Sequence, residues 1–383
     1  MASILKQEKT LIIAALVAVA GIFVEHSVLA AGRTISLVAA AVLIAVIVLA
    51  STRVAHHAEV LAHKVGDPYG TMILTLSAVA VEVMILAIML GSSSSPTLVR
   101  DTIYSAVMLD INGILGLAAL LGGLRHGEQP YNDNSGKTYG VMILTAMGIS
   151  MIVPEFVPAD RWHYYSGFTI VAMIALYALF LKMQVGPHSY FFSYAYPRQK
   201  NTVTPQAASA GTAANPPPPQ QQQAAPEADE PETSAATAIA VILVGVIVIG
   251  FLAEFMAAFL ETGMEGTNAP PALMAVIVAL ISAAPEILTA MRAALRNRMQ
   301  SVINIAMGAS LSTVILTVPV MEAIALYTGQ PFIMAMTPVQ TVMVVITLIV
   351  AAINLNDGET NAIEGMTHFV LFATFIMLTM LGL

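Results

Sequence analysis

The chain has 383 residues, 57 % of them hydrophobic and 10 % charged, with a formal net charge of -8 and no cysteine. With a strongly positive mean hydropathy, it falls outside the range of soluble domains and inside that of bilayer proteins. Disulfides, thiolate metal sites and a cysteine nucleophile are excluded, and the acidic charge, concentrated in loops, leaves no basic surface for nucleic acid.

The N-terminal stretch carries Lys6 and Lys9 ahead of an apolar run from Leu11 to Ala31, which superficially resembles a secretory signal. The run has about the ~20 residues that a spanning helix needs, and no small-residue cleavage pattern follows it clearly. It reads as a retained first helix. Apolar stretches bounded by Gly, Pro and charged clusters then predict eleven spans. Six fall at Thr10 to Gly32, Thr34 to Thr52, Tyr69 to Ser92, Leu98 to Leu124, Tyr139 to Val157 and Trp162 to Gln184. Five more fall at Ser234 to Leu260, Pro271 to Met291, Ser301 to Tyr327, Pro331 to Asn354 and Ile363 to Leu381. For the second of the eleven, Thr34 to Thr52, a short interfacial helix is the alternative. Residues 200–233 hold a run of four prolines, a run of four glutamines and an acidic stretch from Glu227 to Glu232. Such a composition buries no core and predicts a disordered linker, a solvated tether whose acidic groups hold cations at most loosely.

An N-terminus in the cytoplasm, with sides alternating at each span, puts twelve Lys and Arg residues inside and only Arg33, Arg100 and Arg161 outside. That asymmetry favours a multi-pass protein of the cytoplasmic (inner) membrane with the linker inside and the C-terminus outside. The predicted fold is therefore an all-α polytopic membrane protein. It comprises an extra N-terminal helix (1–33), a first five-helix repeat (34–199), the linker (200–233) and a second five-helix repeat (234–383). An odd repeat inverts, so the second half enters from the opposite side, the arrangement in which transporters build a midplane site between repeats.

Two glutamates stand out within the spans. Glu82 lies in LTLSAVAVEVMILAIML and Glu286 in LMAVIVALISAAPEILTAM, each in the second helix of its repeat. A lone mid-bilayer carboxylate costs ~2.5 to 3.5 kcal/mol on insertion scales, so it marks a functional site by default. The bland reading, a protonated glutamate sharing a hydrogen bond between helices, is weakened by matching placement in both halves. Pro285 has no amide hydrogen and its ring clashes with the carbonyl of Ile281, so the helix is expected to break beside Glu286. Ser282 and the freed carbonyls then add oxygen ligands of the kind that hold hard cations; a plain proline kink is the simpler alternative. Val81 is not proline, so the two sites need not be equal. The following helices carry second-rank candidates, Asp110, Asn112, Asn304, Ser310, Ser312 and Thr313, with Gly113, Gly116 and Gly308 allowing close packing. Glu254, Glu155 and Glu322 are further acidic positions, at an outer vestibule or at the interface. His56, His57, His63 and His126 fall in predicted loops and read as solvated. There is no HExxH helix, phosphate loop or nucleophile elbow, so nothing points to an enzyme or an ATP-driven pump.

The segments RVAHHAEVLAHKVGDPYGTMILTLSAVAVEV, RDTIYSAVML, LLGGLRHGEQPYN, APEILTAMRAALRNRMQSVINIAMGASLSTVILTVPV and DGETNAIEG resemble the cation exchanger (CAX) branch of the Ca2+:cation antiporter superfamily, and its bacterial sodium/calcium:proton antiporters in particular. The likeness runs over nearly the whole chain. It implies that Glu82 and Glu286 bind cation and proton, and that Glu254 matches an acidic residue preceding the second repeat. Many such exchangers have Gly-Asn shortly before each glutamate, where this chain has Ala78-Val79 and Ser282-Ala283. The expected activity is secondary antiport of Ca2+, with Na+ also carried, against protons, without a resident cofactor. An exchanger specific for Na+ or K+ and, in another class, a passive cation channel stay open, as does the oligomeric state. The expected partners are the lipid bilayer, inorganic cations and protons.

Overall fold

The computed structural model describes residues 8–383 apart from 66–68, 93–94, 159, 187, 195–233, 268, 271 and 331, and apart from the side chains of 62–63, 69–72, 74 and 92. The predicted linker, and with it Arg198 and Lys200, lies outside the described residues, as do Lys6 and the side chain of His63.

In hydrocarbon a backbone must satisfy its own N–H and C=O groups, and among the described residues the apolar stretches do so as helices. The first half contains α1 (Lys9–Ala30), α2 (Arg33–Val65) and α3 (Tyr69–Ser92). A bent rod follows, made of α4 (Leu98–Met108), a π-helical segment (Leu109–Ile114) and α5 (Leu115–His126). Strand β1 (Gln129–Pro130), α6 (Asp133–Met147), continued by π and 3-10 turns to Phe156, and α7 (Trp162–Val185) complete it. The second half has α8 (Ala235–Met264), α9 (Ala272–Ser282) and α10 (Ala284–Leu295). Then come α11 (Met299–Ser312), a second π-helical segment (Thr313–Thr317), α12 (Val318–Thr328), α13 (Pro338–Asn354), β2 (Glu359–Thr360) and α14 (Ala362–Met380). Among the described residues eight stretches are long and apolar enough to cross a bilayer, and the bent pair α9 and α10 makes a ninth. Two shorter apolar helices, Thr75–Gly91 within α3 and α13 itself, occupy the remaining predicted spans.

The largest difference in boundary falls at the end of α2. Residues 53–65, expected as a loop, continue α2 without a break, because no Gly or Pro interrupts the chain between Arg33 and Val65. His57, expected to be solvated, is 2 % exposed and its Nε2 lies 2.8 Å from Glu8 Oε1. Arg53 grips the same carboxylate with two hydrogen bonds, Nε to Oε2 at 2.9 Å and Nη2 to Oε1 at 2.6 Å. The first helix is thereby pinned to the end of α2, and its Gly21 passes against the Phe255 ring of α8.

The halves interlock reciprocally. Helix α3 packs on the second π segment and α12, while its counterpart α9 packs on α4, and the leading helices α2 and α8 lie against each other. Polar contacts sort the connections into two faces. On one, β1 pairs with β2, His126 reaches the carbonyl of Leu295 and Gln129 that of Ala294. On the other, Arg100 bonds the carbonyl of Ala335, and the amides of Ile333 and Met336 bond the carbonyls of Pro96 and Met151. Alternating entry of the predicted spans puts each of these pairs on a common side.

Helices α5 and α14 approach most closely at glycines. A Cβ on Gly116 would lie 2.8 Å from the His368 Cβ, and one on Gly365 would meet the backbone of Leu120. Gly308 differs from expectation, since its nearest neighbour, the Tyr139 ring, leaves ordinary van der Waals room at 3.7 Å. Backbone cannot yield as a side-chain tip can, so Gly365→Ala is expected to cost about 1 to 3 kcal/mol. The measurement is the unfolding temperature of the detergent-solubilised protein, and an unchanged value would contradict the packing described.

Glu8 stands outside the spans. Burial raises its affinity for a proton, but the hydrogen bonds and charges of His57 and Arg53 together outweigh burial and hold it below the ordinary 4.5. A depressed folded value means that the contribution to stability is present at neutral pH and lost as pH falls through that value. Glu8→Gln should therefore melt below wild type at neutral pH, with the gap closing in acid. A gap that grows in acid would refute the assignment.

Candidate functional site

Glu82 sits in the middle of α3, 6 % exposed. Across the interface the second π segment presents Thr313 and Thr317, whose hydroxyls each donate to Glu82 Oε2 at 3.0 Å. A π turn inserts an extra residue and re-aims the side chains that follow, which is why such bulges recur at functional sites. Both donors converge on one oxygen. Oε1 is buried and has no hydrogen-bond partner.

The predicted break in the eighth span is present: α9 ends at Ser282, α10 begins at Ala284, and the two axes differ by 57°. Pro285 occupies the first turn of α10 and cannot donate to the carbonyl of Ile281. Glu286 follows in the same turn, where free N–H groups and the helix dipole favour a negative charge. Its Oε2 is buried and has no partner. Ser282 turns to its own backbone, donating to the carbonyl of Ala279 at 3.0 Å.

Asp110 lies in the first π segment, 2 % exposed, and accepts a hydrogen bond from Ser310 of the opposite half at 3.1 Å. It is within electrostatic reach of both Glu286 and Glu82. Three carboxylates, on α3, on the first π segment and on α10, are thus assembled from both repeats. The matching is regular: the glutamates at 82 and 286 and the π-segment starts at 109 and 313 are separated by the same interval. At the positions of Thr313 and Thr317, however, the first half has Leu109 and Gly113, so Glu286 lacks the hydroxyl pair that Glu82 has.

Asn112 points into a neighbouring polar group. Its Nδ2 donates to Thr347 Oγ1 at 2.8 Å and its Oδ1 lies 2.9 Å from His368 Nδ1. Asn304 is elsewhere, bonded to the carbonyl of Phe192 and to Gln300 near β1. Glu254 and Glu155 are exposed, and Ser312 bonds the carbonyl of Ala309. Glu322 is 2 % exposed and bonded to Ser166. Thr317 and His368 were missed in the sequence. The signal for Thr317 was its position four residues beyond Thr313; a histidine inside the apolar run MTHFVLF was the signal for the other. Among the described residues no group of three or more His, Asp or Glu has the geometry of a metal site. The carboxylates are brought into one region without forming a closed cage.

Inverted halves, a broken helix and carboxylates at the interface between repeats define a polytopic membrane transporter. The chain belongs to the sodium/calcium exchanger protein family, whose pattern matches residues 35–186 and 237–381. It is 32 % identical over 351 residues to the sodium-potassium/proton antiporter ChaA of Escherichia coli, covering 90 % of each chain. It is 24 % identical to a Ca2+/H+ antiporter of Aphanothece halophytica over 84 % of this chain and 83 % of that one. Among solved structures the fold is similar to native YfkE, with a TM-score of 0.69 at 18 % identity over 93 % of this chain and 99 % of that one. It is also similar to the H+/Ca2+ exchanger CAX, with a TM-score of 0.57 at 14 % identity over 97 % and 88 %. The family is one of transporters.

Hydrogen bonds to charged groups contribute roughly 1.5 to 3 kcal/mol each. Thr313→Val with Thr317→Val should therefore lower the unfolding temperature of the detergent-solubilised protein, since the buried Glu82 carboxylate loses both of its hydroxyl donors. An unfolding temperature equal to wild type would exclude that role.

Proposed function

We propose that the chain is a secondary cation:proton antiporter in which Glu82 and Glu286 bind cation and proton in turn, with Asp110 as a third carboxylate between them. The observation that carries this reading is the pair of bare, buried carboxylate oxygens, Glu82 Oε1 and Glu286 Oε2, contributed by the two halves. A carboxylate in a low dielectric favours its neutral form, and a bound cation favours the ionised one, so the two ligands displace each other. If the site opens to one side with protons and to the other with cation, inward proton flow extrudes cation without ATP.

The orientation in this reading is that of the Lys and Arg asymmetry: a cytoplasmic membrane, with N-terminus and linker inside. The substrate is Ca2+, a hard cation suited to carboxylate, hydroxyl and carbonyl oxygens. Carriage of Na+ or K+ is the second reading. It is favoured by Ala78-Val79 and Ser282-Ala283, which supply no amide oxygen beside the glutamates, and by the likeness to the sodium-potassium/proton antiporter.

In everted vesicles, Ca2+, Na+ and K+ added in turn should each be tested for proton release. Glu82→Gln and Glu286→Gln are expected to abolish the response. Wild-type rates in both variants would overturn the assignment, and cation flux without proton counterflow would identify a channel instead.

A further inference from the structure

Glu322 is a buried carboxylate that the central site does not use. It lies on α12, and its Oε1 accepts one long hydrogen bond, 3.3 Å, from Ser166 of α7. Its Oε2 is buried with no partner. Immediately above this pair, at the end of the molecule assigned to the outside, is a cavity of about 290 Å3 lined by Trp162, His163, Ala325, Leu326, Gly329 and Phe332, among others. The spacing places the pair beneath it. Ala325 and Leu326 follow Glu322 by three and four residues, and Trp162 and His163 precede Ser166 by four and three. On a helix such residues share a face, one turn apart. Both walls of the cavity therefore continue downward into the Ser166–Glu322 contact.

From the other direction, the π segment that runs into α12 carries the threonines of the exchange site. Thr317, which holds Glu82, is five residues before Glu322, about 7.5 Å of helical rise. We propose that Glu322 is a proton-loading site on the outer side of the exchanger, taking a proton from water in this cavity and passing it inward to the central carboxylates. This rests on the exchange reading above and on its orientation.

The donor set identifies the ligand. A dehydrated divalent cation takes roughly six to eight oxygens, and here there are one carboxylate and one hydroxyl. A proton needs only the bare Oε2. In the transfer, Oε2 gains H+ from outer water and loses it toward a deprotonated central carboxylate, so the group returns to its starting form each cycle. The titratable groups around it are Tyr165, which feels its charge from α7, and His163 at the cavity. Glu82 lies on α3, the other helix packed against α12. Tyr165 donates its hydroxyl to the carbonyl of Ile149 at 2.7 Å, which leaves Ser166 as the donor to Glu322.

Two measurements on the full chain reconstituted in liposomes test this. In infrared difference spectra between acid and alkaline buffer, a carboxyl C=O band should disappear in Glu322→Gln and should persist in the Glu82→Gln/Glu286→Gln double variant. In exchange assays with the outer-face compartment held at a series of pH values, Glu322→Gln should slow exchange by roughly tenfold or more on the alkaline side. The loss should shrink on the acid side, and Glu322→Asp should restore the profile. A purely structural glutamate would lower the rate equally at every pH. Absence of a Glu322 band, or a Glu322→Gln profile parallel to wild type, overturns the proposal while leaving the central exchange reading intact. If wild type moves cation without proton counterflow, the exchange reading itself falls, and the relay with it.

Discussion

A carboxylate cannot stand alone in hydrocarbon, and the hydrogen bonds from Thr313 and Thr317 to Glu82 are how this chain meets that constraint. They run from the second half of the molecule to the first. The same is true of Ser310 with Asp110. Each half therefore completes the polar environment of the other, and neither repeat has a satisfied interior by itself. The π segments follow from this need. A regular helix carries its side chains round at a fixed pitch, and one extra residue per turn aims Thr313 and Thr317 at a single oxygen. Such a seam has few alternatives: the partners of Glu82, Asp110 and Asn112 lie on the opposite repeat, so a slip of one helix along another would leave several polar groups unsatisfied at once.

The two carboxylate sites share an ancestry of position and differ in chemistry. Glu82 is gripped through one oxygen and bare at the other. Glu286 has Leu109 and Gly113 where Glu82 finds threonines, and in place of hydroxyls it has a helix N-terminus and a broken backbone. One carboxylate is held by side chains and the other by main chain. Main-chain dipoles are fixed by the fold, whereas hydroxyls rotate, so the two carboxylates sit in surroundings of different stiffness.

Much of this was legible in the residues. The apolar runs placed the spans, because length and hydropathy alone decide what crosses a bilayer, and Pro285 announced the break beside Glu286. What was not legible depended on partners far away in sequence. His57 looked like a loop residue until Glu8 was seen to cap it from another helix. Helix α2 was expected to end near Thr52, and runs on because nothing in the chain stops it. The π segments have no composition of their own, so Thr317 was passed over while Thr313 was noticed. Asn304 and Ser310 sit on one helix with similar sequence credentials, yet only Ser310 faces Asp110. Helical phase relative to a distant element decided between them.

The short ladder between β1 and β2 joins a connection of the first half to one of the second, on the same face where Gln129 reaches the carbonyl of Ala294. Close by, α5 and α14 cross with their backbones nearly touching at Gly365. In mechanical terms the strand pair is a clasp on one face, and the bond from Arg100 to the carbonyl of Ala335 is its counterpart on the other, so the two halves are fastened at both ends of the seam.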